Sequence, residues 1–195
     1  MIDGDRVTVA ALQQMKGDGK KIACVVAWDE GTARTLDDAG VELVSVGDSG
    51  VKSLDELLVF CAAVRRGVRR ALVSCDLPEP TVEAAQRLTA AGADLVKVEG
   101  VDAVRAIAAG GVPVFAQIES AGEAKAMEEA GASLIDFRHS GPNGGAEAVA
   151  AVSIPVLGGL GGGPWLDGRV RAAFKLLDVS GYVDDVRNGR PVGGD

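Results

Sequence analysis

Ala91-Gly-Ala-Asp-Leu95 and Ala130-Gly-Ala-Ser-Leu134 repeat one short phrase, which returns in related form as Asp38-Ala-Gly-Val-Glu-Leu43. In each copy a glycine follows an Ala-containing polar stretch and precedes a run of apolar residues. Glycine accepts the left-handed conformation that satisfies the last carbonyls of a helix, so each phrase predicts a helix end followed by a β-strand. The chain is therefore predicted to be an internal array of βα modules.

The same alternation of β-branched runs and helical periodicity extends along the whole chain. Strands are predicted at 21–28, 42–48, 70–76, 94–99, 113–118, 133–138, 155–159 and 169–176. Helices are predicted at 7–16, 30–39, 53–66, 80–91, 101–109, 121–130, 144–152 and 178–188. A flavodoxin-like open sheet needs five or six such units and is the alternative. Eight units favour closure, so we predict an α/β fold of the compact (β/α)8 TIM type.

Chain length limits the size of the loops. Barrels of this type usually have about 250 residues, whereas this chain has 195. The connections must therefore be short. We expect a single barrel domain over 1–195, with a leading helix at about 7–16, the barrel at about 20–178 and a C-terminal helix and tail at 179–195.

Composition and charge exclude several classes of protein. A hydrophobic fraction of 47% with 25% charged residues is typical of a globular protein, and no apolar run reaches the 18 or more residues of a membrane span. The net charge of −8 argues against a nucleic-acid partner and an anionic membrane surface. The N-terminus has no signal-peptide pattern, so we expect a cytoplasmic protein that acts on a small molecule.

Functional side chains of a parallel barrel project from the carboxyl ends of its strands. Acids recur there at Asp48, Asp76 and Glu99. Several carboxylates near one axis are costly unless a cation compensates them, and a hard divalent ion such as Mg²⁺ prefers oxygen ligands. We therefore predict a metal site at these three acids. The alternative is that each acid only caps the helix that follows it.

Two further residues at the strand ends could carry chemistry. Lys97 lies two residues before Glu99, so both point to the same side of their strand and Lys97 could stabilise an enolate. An internal ion pair with one of the acids is the alternative for Lys97. His139 is the single histidine and a candidate general base, with a structural role as its alternative.

Several motifs at these strand ends resemble those of the ketopantoate hydroxymethyltransferases, a family within the phosphoenolpyruvate-mutase and isocitrate-lyase type barrels. They are Ala27-Trp28-Asp29, Leu43-Val-Ser-Val-Gly-Asp48-Ser49, Arg69-Arg-Ala-Leu-Val-Ser-Cys-Asp76-Leu-Pro78, Gly92-Ala-Asp-Leu-Val-Lys97-Val-Glu99-Gly100 and Ile154-Pro-Val-Leu-Gly-Gly159, with Asp167-Gly-Arg169 after them. The resemblance runs from about residue 20 to residue 188.

The resemblance implies a role for each matching residue. Asp48 and Asp76 match the family's magnesium ligands, with Glu99 in the outer shell of the metal, and Ser49 and Lys97 match residues that hold the keto acid. The implied reaction is metal-assisted enolisation of a 2-oxo acid, followed by carbon–carbon bond formation with a one-carbon unit from methylenetetrahydrofolate. The family forms oligomers, so the resemblance also implies a homo-oligomer.

The chain departs from the family at two site positions. Gln117 stands at the family's histidine on strand five, and Arg138 stands at its catalytic glutamate on strand six. Arginine does not deprotonate in proteins, so His139, Glu119 or Asp136 would have to act as base; Asp136 should face away from Phe137. The candidate catalytic residues are thus Lys97, Arg138, His139 and Glu119, and the candidate substrate-binding residues are Trp28, Ser49, Lys97 and Gln117.

Three family loops are also shortened: those after Asp48-Ser49, after Asp76-Leu-Pro78 and after strand five. These loops cover substrate and folate in the family. Three hypotheses stay open. The chain is a divergent metal-dependent enzyme with altered carbon–carbon chemistry, such as a lyase; or it carries out the family reaction; or it is a non-catalytic barrel that binds a metabolite or a partner.

Overall fold

A computed structural model describes residues 6–47, 53–159, 163–173, 176 and 178–192. In this part of the chain eight parallel strands close into a barrel in the order β1 to β8, and β8 pairs back with β1. The strands are β1 (Ile22–Val26), β2 (Leu43–Val46), β3 (Leu72–Asp76), β4 (Leu95–Glu99), β5 (Val114–Ile118), β6 (Leu134–Phe137), β7 (Val156–Gly158) and β8 (Gly168–Ala172). The predicted (β/α)8 barrel is confirmed, and the open-sheet alternative is wrong.

Helices pack around the barrel, and each overlaps a helix predicted from the sequence. They are α1 (Val9–Gly17), α2 (Glu30–Asp38), α3 (Leu54–Gly67), α4 (Val82–Ala90), α5 (Val101–Ala109), α6 (Ala124–Glu129), α7 (Gly141–Ala151) and α8 (Val179–Arg187), and a 3-10 turn at Ala121–Glu123 leads into α6. None of the helices in the described ranges has the length and apolar character needed to cross a membrane.

The connections are as short as the chain length predicts. Each helix-to-strand joint from α1–β1 to α7–β7 contains four residues, such as 91–94 between α4 and β4. On the opposite side, Gly100 alone joins β4 to α5, and two residues, 119–120, join β5 to the 3-10 turn. The repeated phrases of the sequence coincide with these four-residue joints.

The residue directly before each of three strands, β2, β4 and β8, binds the preceding strand through both its amide and its carboxylate. Glu42 donates its amide to the carbonyl of Ala23, and its carboxylate accepts the amide of Ala23 at 2.9 Å. Asp94 makes the same reciprocal pair with Val73, with 2.7 Å and 2.9 Å between the bonded atoms. Asp167 repeats it with Val156, at 2.9 Å in both directions. We call Glu42, Asp94 and Asp167 the basal carboxylates.

Each basal carboxylate is also paired with a cation. Arg187 lies 2.6 Å from Glu42, Arg65 lies 2.9 Å from Asp94, and Lys16 lies 3.1 Å from Asp167. The joint before β6 carries Ser133 at the equivalent position, and only its amide bond to Val114 is made, at 2.8 Å. Because hydrogen bonds to charged groups are stronger than neutral ones, the three carboxylates hold the amino end of the barrel more firmly than Ser133 does.

The amino end of the barrel is filled with apolar side chains. Ile22, Leu43, Leu72, Leu95, Phe115, Leu134 and Leu157 come from seven different strands and form one buried cluster with Cys24. Leu12 of α1 joins this cluster and is fully buried. The leading helix therefore closes the amino end of the barrel.

Replacing Asp94 by alanine should destabilise the fold. The change removes the acceptor for the Val73 amide and leaves Arg65 and Arg6 without their carboxylate. We expect a loss of about 2–4 kcal/mol in the free energy of unfolding, measured with urea, and a smaller loss for Asp94→Asn, which keeps an acceptor oxygen. Asp102→Ala, at a fully exposed side chain of α5, is the matched control. Equal losses in Asp94→Ala and Asp102→Ala would contradict this role.

Glu128 at the end of α6 should make stability depend on pH in the acid range. Its Oε1 accepts the amide and hydroxyl of Ser153 at 2.7 Å and 2.6 Å, and its Oε2 accepts Lys125 at 2.8 Å. Burial raises the pKa of Glu128, but the hydrogen bonds from Lys125 and Ser153 outweigh burial and lower the pKa to about 2. A carboxylate with a lowered pKa stabilises the fold above its unfolded pKa, and that contribution is lost as the pH falls.

Glu128→Gln should therefore cost about 1.5–3 kcal/mol at neutral pH, the range for hydrogen bonds to a charged group. The difference from the wild type should shrink as the pH falls from about 4.5 to about 2. Urea titrations across this range measure it, with Glu129→Gln as the exposed neighbouring control. A difference that stays constant with pH would show that the charge of Glu128 does not contribute.

Candidate active site

Polar side chains line the barrel interior beyond the apolar cluster, towards the carboxyl ends of the strands. Side chains alternate between the two faces of a strand. Lys97 lies two residues after the interior Leu95, and Asp136 lies two residues after the interior Leu134, so both point into the barrel. Asp76 is the register partner of Lys97, and Gln117 is the register partner of Asp136. Phe137 packs in the outer apolar cluster, opposite Asp136, as its position next to Asp136 predicts.

Lys97 lies at the centre of this polar layer. Its Nζ is 3.2 Å from Oδ2 of Asp136 and 3.5 Å from Oδ1 of Asp76. It also lies 5.2 Å from the centre of the Phe115 ring, within the range of a cation–π contact. Lys97 is 5% exposed and Asp136 is 4% exposed, so the ion pair is buried. The ion-pair alternative for Lys97 is therefore realised, with two acids instead of one.

The two carboxylates keep Lys97 charged. Burial lowers the pKa of Lys97, but the charges of Asp136 and Asp76 outweigh burial and hold the pKa above its ordinary value. Cys24 of the apolar cluster is close enough to Lys97 to interact with its charge, and burial raises the pKa of the Cys24 thiol to about 12. The site therefore has a fixed positive charge and a neutral thiol at physiological pH.

One oxygen of Asp76 has no hydrogen-bond partner among the described residues. This Oδ1 atom is buried, and Nζ of Lys97 lies 3.5 Å from it. The carboxylate fits only because residue 47 is glycine: a Cβ on Gly47 would lie 2.3 Å from Cγ of Asp76, and the φ angle of Gly47 is +115°. The end of β2 thus passes directly against the Asp76 carboxylate.

Glu99 and Gln117 form a second pair at the opening of the barrel. They are register partners on β4 and β5, and the side-chain amide of Gln117 donates to Oε1 of Glu99. Gln117 is buried and Glu99 is exposed. The amide fixes the direction of the Glu99 carboxylate, which leaves its second oxygen for another partner.

The predicted metal set is only partly described. Asp48 and Ser49 lie outside the described residues. Among the residues that are described, no three acids, histidines or cysteines lie close enough together to hold an ion.

The other predicted site residues follow the carboxyl ends of β1, β5 and β6. Trp28 lies against α3, with its ring centre 5.2 Å from that of Phe60 in an edge-to-face contact. Glu119 and His139 are exposed at the turns after β5 and β6, and His139 has a left-handed φ of 53°. Arg138 is half-buried directly after β6.

Two serines in the interior were not singled out by the sequence reasoning. Ser45 and Ser74 are fully buried on adjacent strands, and their hydroxyls are 3.0 Å apart. Ser45 comes two residues before Gly47, and Ser74 two residues before Asp76. The signal was present in the alternation of β2 and β3, because a polar residue on the interior face precedes each strand end.

Comparisons with known proteins give the family. The family model of ketopantoate hydroxymethyltransferase matches residues 6–122. The chain belongs to the ketopantoate hydroxymethyltransferase family. Among curated relatives, a 3-methyl-2-oxobutanoate hydroxymethyltransferase of Cyanothece sp. is 36% identical over 89% of this chain and 85% of its own length. One of Hyperthermus butylicus is 32% identical over 97% of this chain and 90% of its own length.

These relatives of the ketopantoate hydroxymethyltransferase family carry segments that this chain lacks. The alignment with the Cyanothece protein runs over 223 residues but uses 89% of the 195 residues here, about 174. About 49 positions of that relative thus have no counterpart in this chain.

Solved structures show the same barrel. A lyase or mutase of Burkholderia cenocepacia, described as putative, superposes with a TM-score of 0.68 at 19% identity, over 90% of this chain and 84% of its own. 2,3-Dimethylmalate lyase, a member of the PEP mutase and isocitrate lyase superfamily, superposes with a TM-score of 0.67 at 14% identity, over 93% of this chain and 85% of its own. At these identities the likeness shows the fold.

Removing the lysine from the buried cluster should be more damaging than removing one acid. Lys97→Met leaves Asp76 and Asp136 without their cation, whereas Asp136→Asn leaves Lys97 paired with Asp76. We expect Lys97→Met to cost about 3–5 kcal/mol in the free energy of unfolding and Asp136→Asn clearly less. Urea denaturation measures the free energies of unfolding of the two single variants and of the double variant Lys97→Met/Asp136→Leu. A loss in Asp136→Asn as large as in Lys97→Met would refute this expectation.

Proposed function

We propose that this chain is a metal-dependent enzyme that binds a 2-oxo acid at the carboxyl end of the barrel and enolises it. In this proposal the step that makes or breaks a carbon–carbon bond has diverged from the family reaction. The observation that carries the proposal is Lys97, a buried cation held between Asp76 and Asp136 at the end of the barrel where such sites lie. Family membership supports a small-molecule carbonyl substrate.

The acids fit a hard divalent cation such as Mg²⁺. Asp76 has a buried oxygen without a hydrogen bond, and oxygen is the ligand that Mg²⁺ prefers. Gly47, which contacts the Asp76 carboxylate, is bonded directly to Asp48. Asp48 and Asp76 would hold the ion, and Glu99 would lie in its outer shell. When bound, the ion would polarise the substrate carbonyl and compensate negative charge on it.

Asp136 is the base that the geometry favours. Three residues were candidates, and of these Asp136 alone lies within the buried layer, 3.2 Å from Lys97, while Glu119 and His139 are exposed. Asp136 takes the proton from the carbon next to the carbonyl and becomes neutral. Lys97 then balances the negative charge that has moved to the substrate oxygen. The number of charges in the buried layer stays constant during the step, which limits its cost.

In the proposed reaction, this chain departs from the family in the step that follows enolisation. About 49 positions of the Cyanothece relative are absent here, and the resemblance implies that they include loops that cover substrate and folate in the family. This favours carbon–carbon chemistry without methylenetetrahydrofolate, of the aldol or lyase kind. The second candidate is 3-methyl-2-oxobutanoate hydroxymethyl transfer itself, favoured by the 36% identity over 89% of the chain.

Binding of 3-methyl-2-oxobutanoate should depend on magnesium. We expect calorimetry to give heat of binding with Mg²⁺ and none without it, and we expect Asp76→Asn to weaken binding at least ten-fold. Asp55→Asn, at an exposed acid of α3, is the matched control. No binding in the wild type with or without Mg²⁺ would reject the proposed site and favour a non-catalytic barrel.

Enolisation is tested by hydrogen exchange at carbon 3 of the same 2-oxo acid in D₂O, followed by NMR. The rate of exchange should be higher with wild-type protein and Mg²⁺ than with Mg²⁺ alone. Asp136→Asn should lower the enzymatic rate at least 100-fold. Loss of exchange in Glu119→Gln or His139→Gln, with Asp136→Asn active, would move the base to that residue. Hydroxymethylated product after addition of methylenetetrahydrofolate would establish the family reaction.

A further inference from the structure

Arg138 differs from the other arginines of the chain in its side-chain hydrogen bonding. The sequence has thirteen arginines, and all lie in the described ranges. Twelve of them donate a side-chain hydrogen bond to a carboxylate or a backbone carbonyl. For Arg138 the described residues provide no such acceptor and no ion pair, although Arg138 is half-buried. A half-buried guanidinium without an acceptor is costly, so an anion from outside the chain would stabilise it.

The position of Arg138 places it over the site. Its amide donates to the carbonyl of Ile118 at 3.3 Å, so the β5–β6 ladder continues for one residue beyond β6. Arg138 therefore lies on the same face as Asp136, two residues earlier, and on the opposite face from Phe137. Two residues of a strand span about 6.6 Å, so Arg138 is one layer nearer the opening than the Lys97–Asp136 pair.

Ser140, two residues after Arg138, provides a second, independent observation. It precedes α7 in the N-cap position but makes no side-chain cap, and its Oγ is buried without a partner. Ser140 is 9% exposed. A buried hydroxyl at the N-terminus of an eleven-residue helix favours a negatively charged group beside it.

No acid of the described ranges forms an ion pair with Arg138. Glu119 follows Ile118, whose carbonyl accepts the Arg138 amide, yet Glu119 and Arg138 form no ion pair in the described structure. The deeper layer uses its own cation, Lys97, for Asp76 and Asp136. The guanidinium is thus available to a ligand that already has one acidic end in the deeper layer.

We propose that Arg138 and Ser140 form a subsite for a second carboxylate, so that the substrate is a 2-oxo dicarboxylic acid of four or five carbons. The inference rests on the proposed function, because the 2-oxo acid end must bind near Asp76 and Lys97. Arginine binds a carboxylate through two parallel N–H bonds, and the hydroxyl of Ser140 donates a third. The distance of one strand layer between the two subsites sets the length of the substrate.

The test compares pairs of 2-oxo acids that differ in the distal carboxylate. The pairs are 2-oxoglutarate with 2-oxopentanoate and oxaloacetate with 2-oxobutanoate, titrated calorimetrically with Mg²⁺ into wild type, Arg138→Gln, Arg138→Lys and Ser140→Ala. In at least one pair the wild type should bind the dicarboxylate ten-fold or more tightly. Arg138→Gln should reduce this ratio to about one by weakening dicarboxylate binding alone, Arg138→Lys should keep part of it, and Ser140→Ala should lower it.

Arg105→Gln is the matched control, because Arg105 is exposed on α5 and pairs only with Asp102. Thermal melting of each variant shows that it is folded. Binding of both members of each pair with equal affinity, or equal weakening of both by Arg138→Gln, overturns the subsite while the proposed function stands. If none of the four acids binds with Mg²⁺, the proposed function fails and the subsite fails with it.

Discussion

The reciprocal bonds of the basal carboxylates are the constraint on which the barrel depends. A parallel barrel closes only if neighbouring strands keep a fixed stagger, and the basal carboxylates act where β2, β4 and β8 begin. Glu42, Asp94 and Asp167 fix it by binding both the carbonyl and the amide of one residue on the preceding strand. Each carboxylate has its own cation, so these charges are compensated within the fold.

The opposite end of the barrel is organised differently. There Lys97 serves two acids at once, Asp76 keeps one oxygen without a hydrogen bond, and Arg138 has no acceptor among the described residues. Natural proteins satisfy nearly all of their buried polar groups, so unsatisfied groups concentrated at one end indicate a site for a ligand. The stability gained at the amino end allows the carboxyl end to keep these groups unsatisfied.

Most of the fold could be predicted from the sequence because the joints are so regular. Each phrase such as Ala91-Gly-Ala-Asp-Leu95 holds a helix stop, a four-residue connection and a strand start, and these are local signals. The bonds of Asp94 to Val73 join residues that are distant in sequence, and no local pattern reveals them.

The site could be predicted only in part for the same reason. Alternation placed Lys97 and Glu99 on one face, but the pairing of Lys97 with Asp136 joins two strands that are not adjacent and depends on closure of the barrel. No local pattern reveals the role of Gly47, because its close contact with the Asp76 carboxylate joins the ends of two neighbouring strands. The roles of Asp48 and Ser49 stay predictions, because both residues lie outside the described ranges.

The leading helix also determines how molecules reach the interior. Leu12 completes the apolar cluster that fills the amino end, so the described residues leave no polar path along the barrel axis from that side. A small molecule bound beside Lys97 must enter and leave by the carboxyl end. In the proposed function, reactant and product would share one passage, so the product would have to leave before the next reactant enters, and accumulating product would compete directly with fresh reactant for entry.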